Sequence, residues 1–413
     1  MRPAARLQAI ADLLAAAQDS ALPLDQMMQN WGRQNRYAGS KDRRFIADRL
    51  FAAMRHYGTL TARLGHATPL MVAMLAAHVI DDEPLDDVLA LADGSRHAPE
   101  PLSSADEANL RHAAQTAPNE RADKLSVPHW LLPDIDAQLG GATDAALAAM
   151  CQRAPTDVRV NALRTDRASA IAALAAEDVA AAPHPQVETA LRLSGTPRLV
   201  DGAAYRDGLV EVQDAGAQAV AAFCDAQPFE TVMDFCAGAG GKALALAAQM
   251  NNKGRLLVHD AIAERMADLP MRAARAGVAI IETIAPQNLA DWQGQCDLVV
   301  ADVPCSGSGR WRRAPETKWR LTQADLDALH DLQADILQQA SALVRPGGRL
   351  AYITCSLMAS ENNQQVARFI EKNQSFTLSE AVLPLGQAGW TQWHPANGDT
   401  DGLFCAVLQK DGA

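Results

Sequence analysis

No apolar run in this 413-residue chain is long enough to cross a bilayer, which excludes a helical membrane protein as a reading. The first residues lack the unbroken apolar segment of a secretory leader, because Asp12 and polar neighbours interrupt it. No Cys-x-x-Cys pair occurs among the seven cysteines (151, 224, 236, 296, 305, 355 and 405). Their odd number and scattered spacing argue against a disulfide framework and against a zinc site. A reducing cytoplasm and no bound metal are the expectations. There is no internal repeat and no low-complexity tract beyond a richness in alanine. Uniform positive charge is absent too. The net charge is −12, which argues against a uniformly basic nucleic-acid binder.

The charge is unevenly placed, however. Residues 1–70 carry ten Lys/Arg against five Asp/Glu, and residues 71–150 carry four against fourteen. Residues 301–320 carry Arg310, Arg312, Arg313, Lys318 and Arg320 against Asp302 and Glu316. Two local basic patches can bind a polyanion while the remaining surface repels it. Residues 1–140 read as an all-α domain, rich in alanine and leucine with few β-branched residues. The spacing predicts an amphipathic helix over 4–17, with Leu7, Ile10, Leu13 and Leu14 on one face. A second helix is predicted over 41–64, with Phe45, Ile46, Leu50, Phe51 and Met54 inward. Its outer face carries Lys41, Arg43, Arg44, Arg49, Arg55 and His56. A solvated surface and an RNA-binding face are both open readings. Residues 79–97 read as exposed and acidic, and 128–139 as a hinge.

Residues 150–212 read as a small α+β insert, with strands near 158–163 and 191–193 around an alanine-rich helix at 168–182. From 213 to 413 the pattern is α/β: five strands alternate with helices in a Rossmann-like sheet. The stretch 298–355 organises it. Leu298 to Ala301 is a short apolar run that leads into Asp302-Val303-Pro304-Cys305-Ser306-Gly307-Ser308-Gly309. Arg349 to Ile353 leads into Thr354-Cys355-Ser356, and a helical pattern at 324–344 lies between the two runs. Strand, crossover helix and strand make a parallel unit. If the strands are neighbours, both cysteines emerge at the carboxyl edge, where such sheets bind ligands. Either cysteine alone reads as a small buried hydrophobe. Two thiols and an aspartate at one crevice point to covalent chemistry.

The strand at 231–235 runs into Gly238-Ala239-Gly240-Gly241 and a helix opening with Lys242, a cradle for an anion or nucleotide. Asp260 ends the next strand, about where an acid accepts ribose hydroxyls; its bland alternative is a helix N-cap before Ala261. Asp234 fits a carboxylate that receives the amino acid part of S-adenosylmethionine. The pattern alone does not separate that cofactor from NAD.

Asp234-Phe235-Cys236-Ala237-Gly238-Ala239-Gly240-Gly241-Lys242, the Pro304-Cys305 stretch, Arg313-Ala314-Pro315-Glu316-Thr317-Lys318-Trp319 and Thr354-Cys355-Ser356 together resemble the RsmB/Nop/Sun family of RNA cytosine-5 methyltransferases. The resemblance covers about 150–410. More softly, the helices around Lys41-Asp42-Arg43-Arg44 resemble the NusB-like RNA-binding domain of bacterial members. The family's turn usually reads Ala-Pro-Gly-Gly-Lys; Gly238-Ala239 departs from it. No acid follows the third strand, so no residue is assigned to adenine. The resemblance implies S-adenosylmethionine held by Asp234, Cys236, Ala237, Gly238, Gly240, Gly241, Lys242, Asp260 and Asp302. It implies Cys355 as nucleophile at carbon 6 of cytosine, Cys305 in proton removal and release, and Asp302 at the nitrogen 3 edge. Lys318, Arg313, Arg43 and Arg44 would hold RNA, by analogy rRNA, in a monomer. The rival readings are a non-catalytic RNA-binding assembly factor on the same fold and an NAD-dependent oxidoreductase, which would leave both cysteines idle.

Overall fold

Residues 1–195, 197–381 and 388–412 are described in the computed structural model of the chain. They form two compact units. The first is Met1–Arg153 with Arg310–Leu321, and the second is Ala154–Gly309 with Thr322–Ala413.

The first unit is helical. Helix Pro3–Asp19 opens on a proline, whose missing N–H would be unpaired there anyway. It buries Leu7, Ile10, Leu13 and Leu14, the face its spacing predicts. Helix Ser40–Arg55 adds Ile46, Leu50 and Met54 to the same core, with Phe45 and Phe51 half-buried against it. Gly39 precedes it and the helix ends at Arg55; a second helix, Tyr57–Leu64, follows at once. The expected hinge at 128–139 is part of this unit instead. Leu131 and Ile135 are fully buried, and Arg121 pairs with Asp136 at 2.7 Å. Segment Arg310–Leu321 packs among these helices through Trp311, Arg312, Glu316 and Lys318, all buried.

The second unit holds two sheets. Strands β1 (Thr156–Val160), β2 (Ala181–Pro183), β3 (Ala190–Leu193) and β4 (Val210–Val212) form an antiparallel sheet in the order β2-β3-β1-β4. Helix Arg167–Ala175 is capped by the Asp166 side chain, which accepts from the Ser169 amide. It stops well short of 182. Asp178 turns the chain with φ +59°, and residues 181–183 pair with β3. Pairing and the burial of Val179 outweigh alanine's helix preference there.

The larger sheet contains β5 (Thr231–Asp234), β6 (Arg255–Val258), β7 (Ile281–Thr283), β8 (Cys296–Asp302) and β9 (Val344–Thr354), all parallel. Strands β10 (Phe376–Leu378), β11 (Trp390–Trp393) and β12 (Leu403–Lys410) complete it. The order is β10-β12-β9-β8-β5-β6-β7, with β12 antiparallel to β9. β11 pairs with the first half of β12 and β10 with the second. The chain proceeds outward from β5 through β6 and β7, then resumes on the other side at β8. The order therefore reverses beside β5, and a ligand crevice opens at the carboxyl end of such a switch point. The expected helix after β6 is broken. A 3₁₀ turn, Ala263–Met266, precedes helix Leu269–Ala276, which takes Pro270 in its first turn.

Candidate active site

β8 and β9 are hydrogen-bonded neighbours, and Asp302 stands opposite Ile353. Their shared register carries Cys305 and Cys355 out of the same sheet edge. The two sulfurs lie 3.2 Å apart, and the Cys355 amide points at the Cys305 sulfur from 3.3 Å. Both side chains are half-buried. The hydrogen bond to Cys355 and burial raise the Cys305 thiol well above its ordinary value. The Gly309 amide donates to the Cys355 carbonyl at 2.9 Å and so closes one cysteine loop on the other.

Asp302 ends β8 and accepts from the Lys242 ammonium at 2.6 Å. Burial alone would lower Lys242, but the Asp302 charge and hydrogen bond outweigh it and raise the ammonium overall. The sequence places Lys242 with the cofactor's glycine turn. The structure aims it at Asp302, with the Cys355 sulfur also favouring its charge.

The glycine turn follows β5. Gly240 has φ +82°, and a Cβ there would sit 2.1 Å from Leu269 Cδ1, so only glycine fits. Helix Gly241–Gln249 begins at the next residue, and its N-terminus faces the turn. Asp260, just past β6, is buried; it accepts from the Gly238 amide at 3.0 Å and the Ile262 amide at 2.9 Å. It thus holds the turn. Cys236 and Ala237 lie in the turn, and burial raises the Cys236 thiol. Asp234 is 1 % exposed, and neither of its carboxylate oxygens has a well-formed hydrogen bond among the described residues, although the Cys236 amide and the Lys242 charge lie near enough to favour the anion. Burial, then the nearby Asp302 charge, push it up to about 7. A buried acceptor without a well-formed hydrogen bond is what an ammonium-bearing ligand would satisfy, and the methionyl amino group of S-adenosylmethionine is such a ligand. The residues present fit that cofactor.

The expected RNA contacts divide. Arg44 is two-thirds exposed and pairs with Asp48 at 3.7 Å. Arg43 is half-buried, with its Nε on the Ala38 carbonyl at 2.8 Å. Arg313 is half-buried. Lys318 does not reach the surface. It is 2 % exposed, and its ammonium donates to the Arg55 carbonyl at 3.2 Å, between the Trp311 and Trp319 rings. Arg55, expected on the exposed face, is buried as well and donates to the Arg312 carbonyl at 2.7 Å. Both corrections have one reason: this stretch forms the packed interior of the helical unit, so its charges face carbonyls instead of solvent.

Sequence reasoning missed a buried polar group beneath the cysteines. Glu361 and Asn362 are fully buried. Asn362 accepts from the Thr354 hydroxyl at 2.6 Å and donates to the Ser356 carbonyl at 3.0 Å. Glu361 reads from sequence as an ordinary acid at a helix start. Its one legible signal is its place a few residues after Thr354-Cys355-Ser356.

A strand-switch crevice, a glycine turn before a helix and an unpaired buried carboxylate define a Rossmann-like methyltransferase that uses S-adenosylmethionine. Residues 221–409 match the family described as 16S rRNA methyltransferase RsmB/F, and residues 127–199 match the RsmF/B-like ferredoxin-like domain. A probable ribosomal RNA small subunit methyltransferase B from Synechocystis is 31% identical over 309 residues, covering 70% of this chain and 68% of its own. The crystal structure of PH0851 has a TM-score of 0.75 at 24% identity, covering 99% of both chains. That of NSun6 from Pyrococcus horikoshii with SFG has a TM-score of 0.61 at 18% identity, covering 69% of this chain and 99% of its own. The chain belongs to the RsmB/F family. It is an RNA methyltransferase of the cytosine-5 type, which displaces the oxidoreductase reading.

Proposed function

We propose that the chain methylates carbon 5 of a cytosine in small-subunit ribosomal RNA through a covalent Cys355 adduct. The observation that carries this is the pair of sulfurs 3.2 Å apart on neighbouring strands, beside the Asp302–Lys242 pair. Carbon 5 of cytosine is a poor nucleophile. Addition of the Cys355 thiolate at carbon 6 turns the ring into an enamine. The Asp302–Lys242 pair hydrogen-bonds the nitrogen 3 edge and offsets the negative charge that develops there on attack. S-adenosylmethionine, held by Asp234, the Gly238–Gly241 turn and Asp260, supplies the methyl group. Cys305, ionised, then takes the proton from carbon 5. The carbon–hydrogen electron pair restores the ring double bond, and the carbon–sulfur bond to Cys355 breaks. Cys305 rests as a thiol, because the hydrogen bond to the Cys355 sulfur and burial raise it; once Cys355 is bonded to carbon 6 that hydrogen bond is gone, and Cys305 ionises more readily for this step.

A base must leave its stack to enter such a crevice, so the target lies in a flexible or single-stranded segment. The helical unit adds affinity through Lys41 and Arg44, which stay exposed, with Arg43 and Arg313 at the margins. The work is cytoplasmic, in keeping with seven free cysteines, and the working form is a monomer. Among the described residues no helix is long and apolar enough to cross a membrane, and no His/Cys/Asp/Glu group could hold a metal ion. Bisulfite sequencing of total RNA with and without the gene tests the proposal. It expects one small-subunit rRNA cytosine to lose its protection; no change in rRNA would overturn it.

A further inference from the structure

Glu361 is wholly buried and takes no part in the reaction above. Its carboxylate accepts four hydrogen bonds. The Ser306 amide (2.8 Å) and the Gln333 side-chain amide (2.9 Å) donate to Oε1. The Ser306 hydroxyl (2.5 Å) and the Ser356 hydroxyl (2.6 Å) donate to Oε2. Ser306 follows Cys305, and Ser356 follows Cys355. We propose that Glu361 is the positioning residue of the two-thiol site: one buried carboxylate grips the residue after each cysteine and so fixes the two loops in the register that brings their sulfurs together. The inference rests on the reading in which Cys355 attacks and Cys305 serves release.

The grip calls for a carboxylate. An amide N–H and a glutamine NH₂ can only donate, so Oε1 must be an acceptor, and the two hydroxyls donating to Oε2 use the carboxylate's second oxygen as well. The anchor is itself fixed. The Tyr352 hydroxyl donates to the Glu361 carbonyl at 2.7 Å, and Gln333 also donates to the Pro304 carbonyl at 3.0 Å. The helix Gln323–Leu343 and both cysteine loops thus meet on the Glu361 side chain, and β9 holds its backbone. The charge has a second effect. The hydrogen bond to Cys355 and burial raise the Cys305 thiol most, and the Glu361 charge adds to them. Glu361 therefore disfavours the Cys305 thiolate, and removing its charge should ease Cys305 ionisation.

The test uses the full-length protein, S-adenosylmethionine and an unmethylated small-subunit rRNA transcript. Glu361→Gln keeps the side chain's size and removes its charge. Alkylation of Cys305 by iodoacetamide, read by peptide mass spectrometry across pH, should shift to lower pH in this variant, which a role in folding alone would not produce. Single-turnover methylation should fall roughly 10- to 100-fold, the scale of a misplaced reacting group. The KM for RNA should stay put, because Glu361 touches no surface. Glu361→Asp keeps the charge on a shorter stem; it should restore the alkylation profile but not the rate, and it carries the test if Glu361→Gln does not fold. Wild-type alkylation and turnover in Glu361→Gln would overturn the proposal. Denaturing gels of Cys305→Ala with RNA keep the two claims apart. An adduct there, with Glu361→Gln behaving as wild type, sinks the positioning role alone. No adduct, with the alkylation shift present, sinks the assignment of the thiols and leaves the grip standing.

Discussion

Asp234 shows what a buried carboxylate costs a fold. The unfolded chain ionises it near 3.8, whereas the folded chain keeps its proton to about 7, because burial and then the Asp302 charge disfavour the anion. Between those values the folded state binds more protons, so stability falls as pH rises through the window. At roughly 1.4 kcal/mol per pH unit the penalty is of order a few kcal/mol above pH 7. Asp234→Asn should therefore raise the melting temperature of the cofactor-free protein at pH 8. It should also weaken S-adenosylmethionine binding by about ten- to a hundredfold, the loss of one charge-assisted hydrogen bond. Calorimetric titration and thermal melts at pH 5.5 and 8 check both. Wild-type affinity should itself weaken below pH 7 as Asp234 takes its proton. A variant that binds like wild type, or that gains no stability at pH 8, contradicts the assignment.

At the scale of elements, what was legible depended on how far the deciding contacts lie along the chain. The glycine turn, the β-branched strands and the Leu7–Ile10–Leu14 stripe are local patterns, and each forms where its spacing puts it. The two cysteine loops were legible because the strands leading into them are regular and adjacent. β10 and β11 were not. They are three and four residues long, and each exists because half of β12 offers it an edge. Arg310–Leu321 was misleading for the same reason. Its five basic residues look like a surface patch, but residues 263 to 303 positions away receive their hydrogen bonds: Trp319 donates to the Met54 carbonyl, Lys318 to that of Arg55, and Arg320 to those of Leu22 and Ala17. Burial, helped by the Arg55 charge and resisted by Cys151, lowers Lys318 to about 8. The unfolded chain holds that proton to 10.5, so stability should rise with pH between about 8 and 10.5 and the penalty should be full below 8. Lys318→Met should abolish that rise, worth up to about 3 kcal/mol, and leave RNA affinity unchanged. Melting curves and filter binding decide. A variant that loses RNA affinity while its stability profile stays the same would return Lys318 to the RNA.

For the whole molecule, an acidic chain must bind a polyanion, and its net charge of −12 leaves that to local patches. With Arg55 and Lys318 buried, Lys41 and Arg44 are the exposed cations of the helix Ser40–Arg55 best placed for phosphates. Reversing both to glutamate should weaken RNA binding and reduce the slope of log affinity against log salt by about one to two, one phosphate per residue. An unchanged slope would make that face a solvated surface only. The central claim concerns the thiols and the order in which they act. Cys355→Ala should abolish both methyl transfer and any covalent RNA species, because nothing then adds to carbon 6. Cys305→Ala should still attack and methylate but fail to release. The direct measurement is denaturing gel electrophoresis of each variant after incubation with substrate RNA and S-adenosylmethionine, across pH. Trapping in Cys305→Ala should fade as pH drops, since attack needs the Cys355 thiolate. A protein–RNA band in Cys305→Ala and none in Cys355→Ala is the predicted result; a band in Cys355→Ala and none in Cys305→Ala would exchange the two roles and contradict the account.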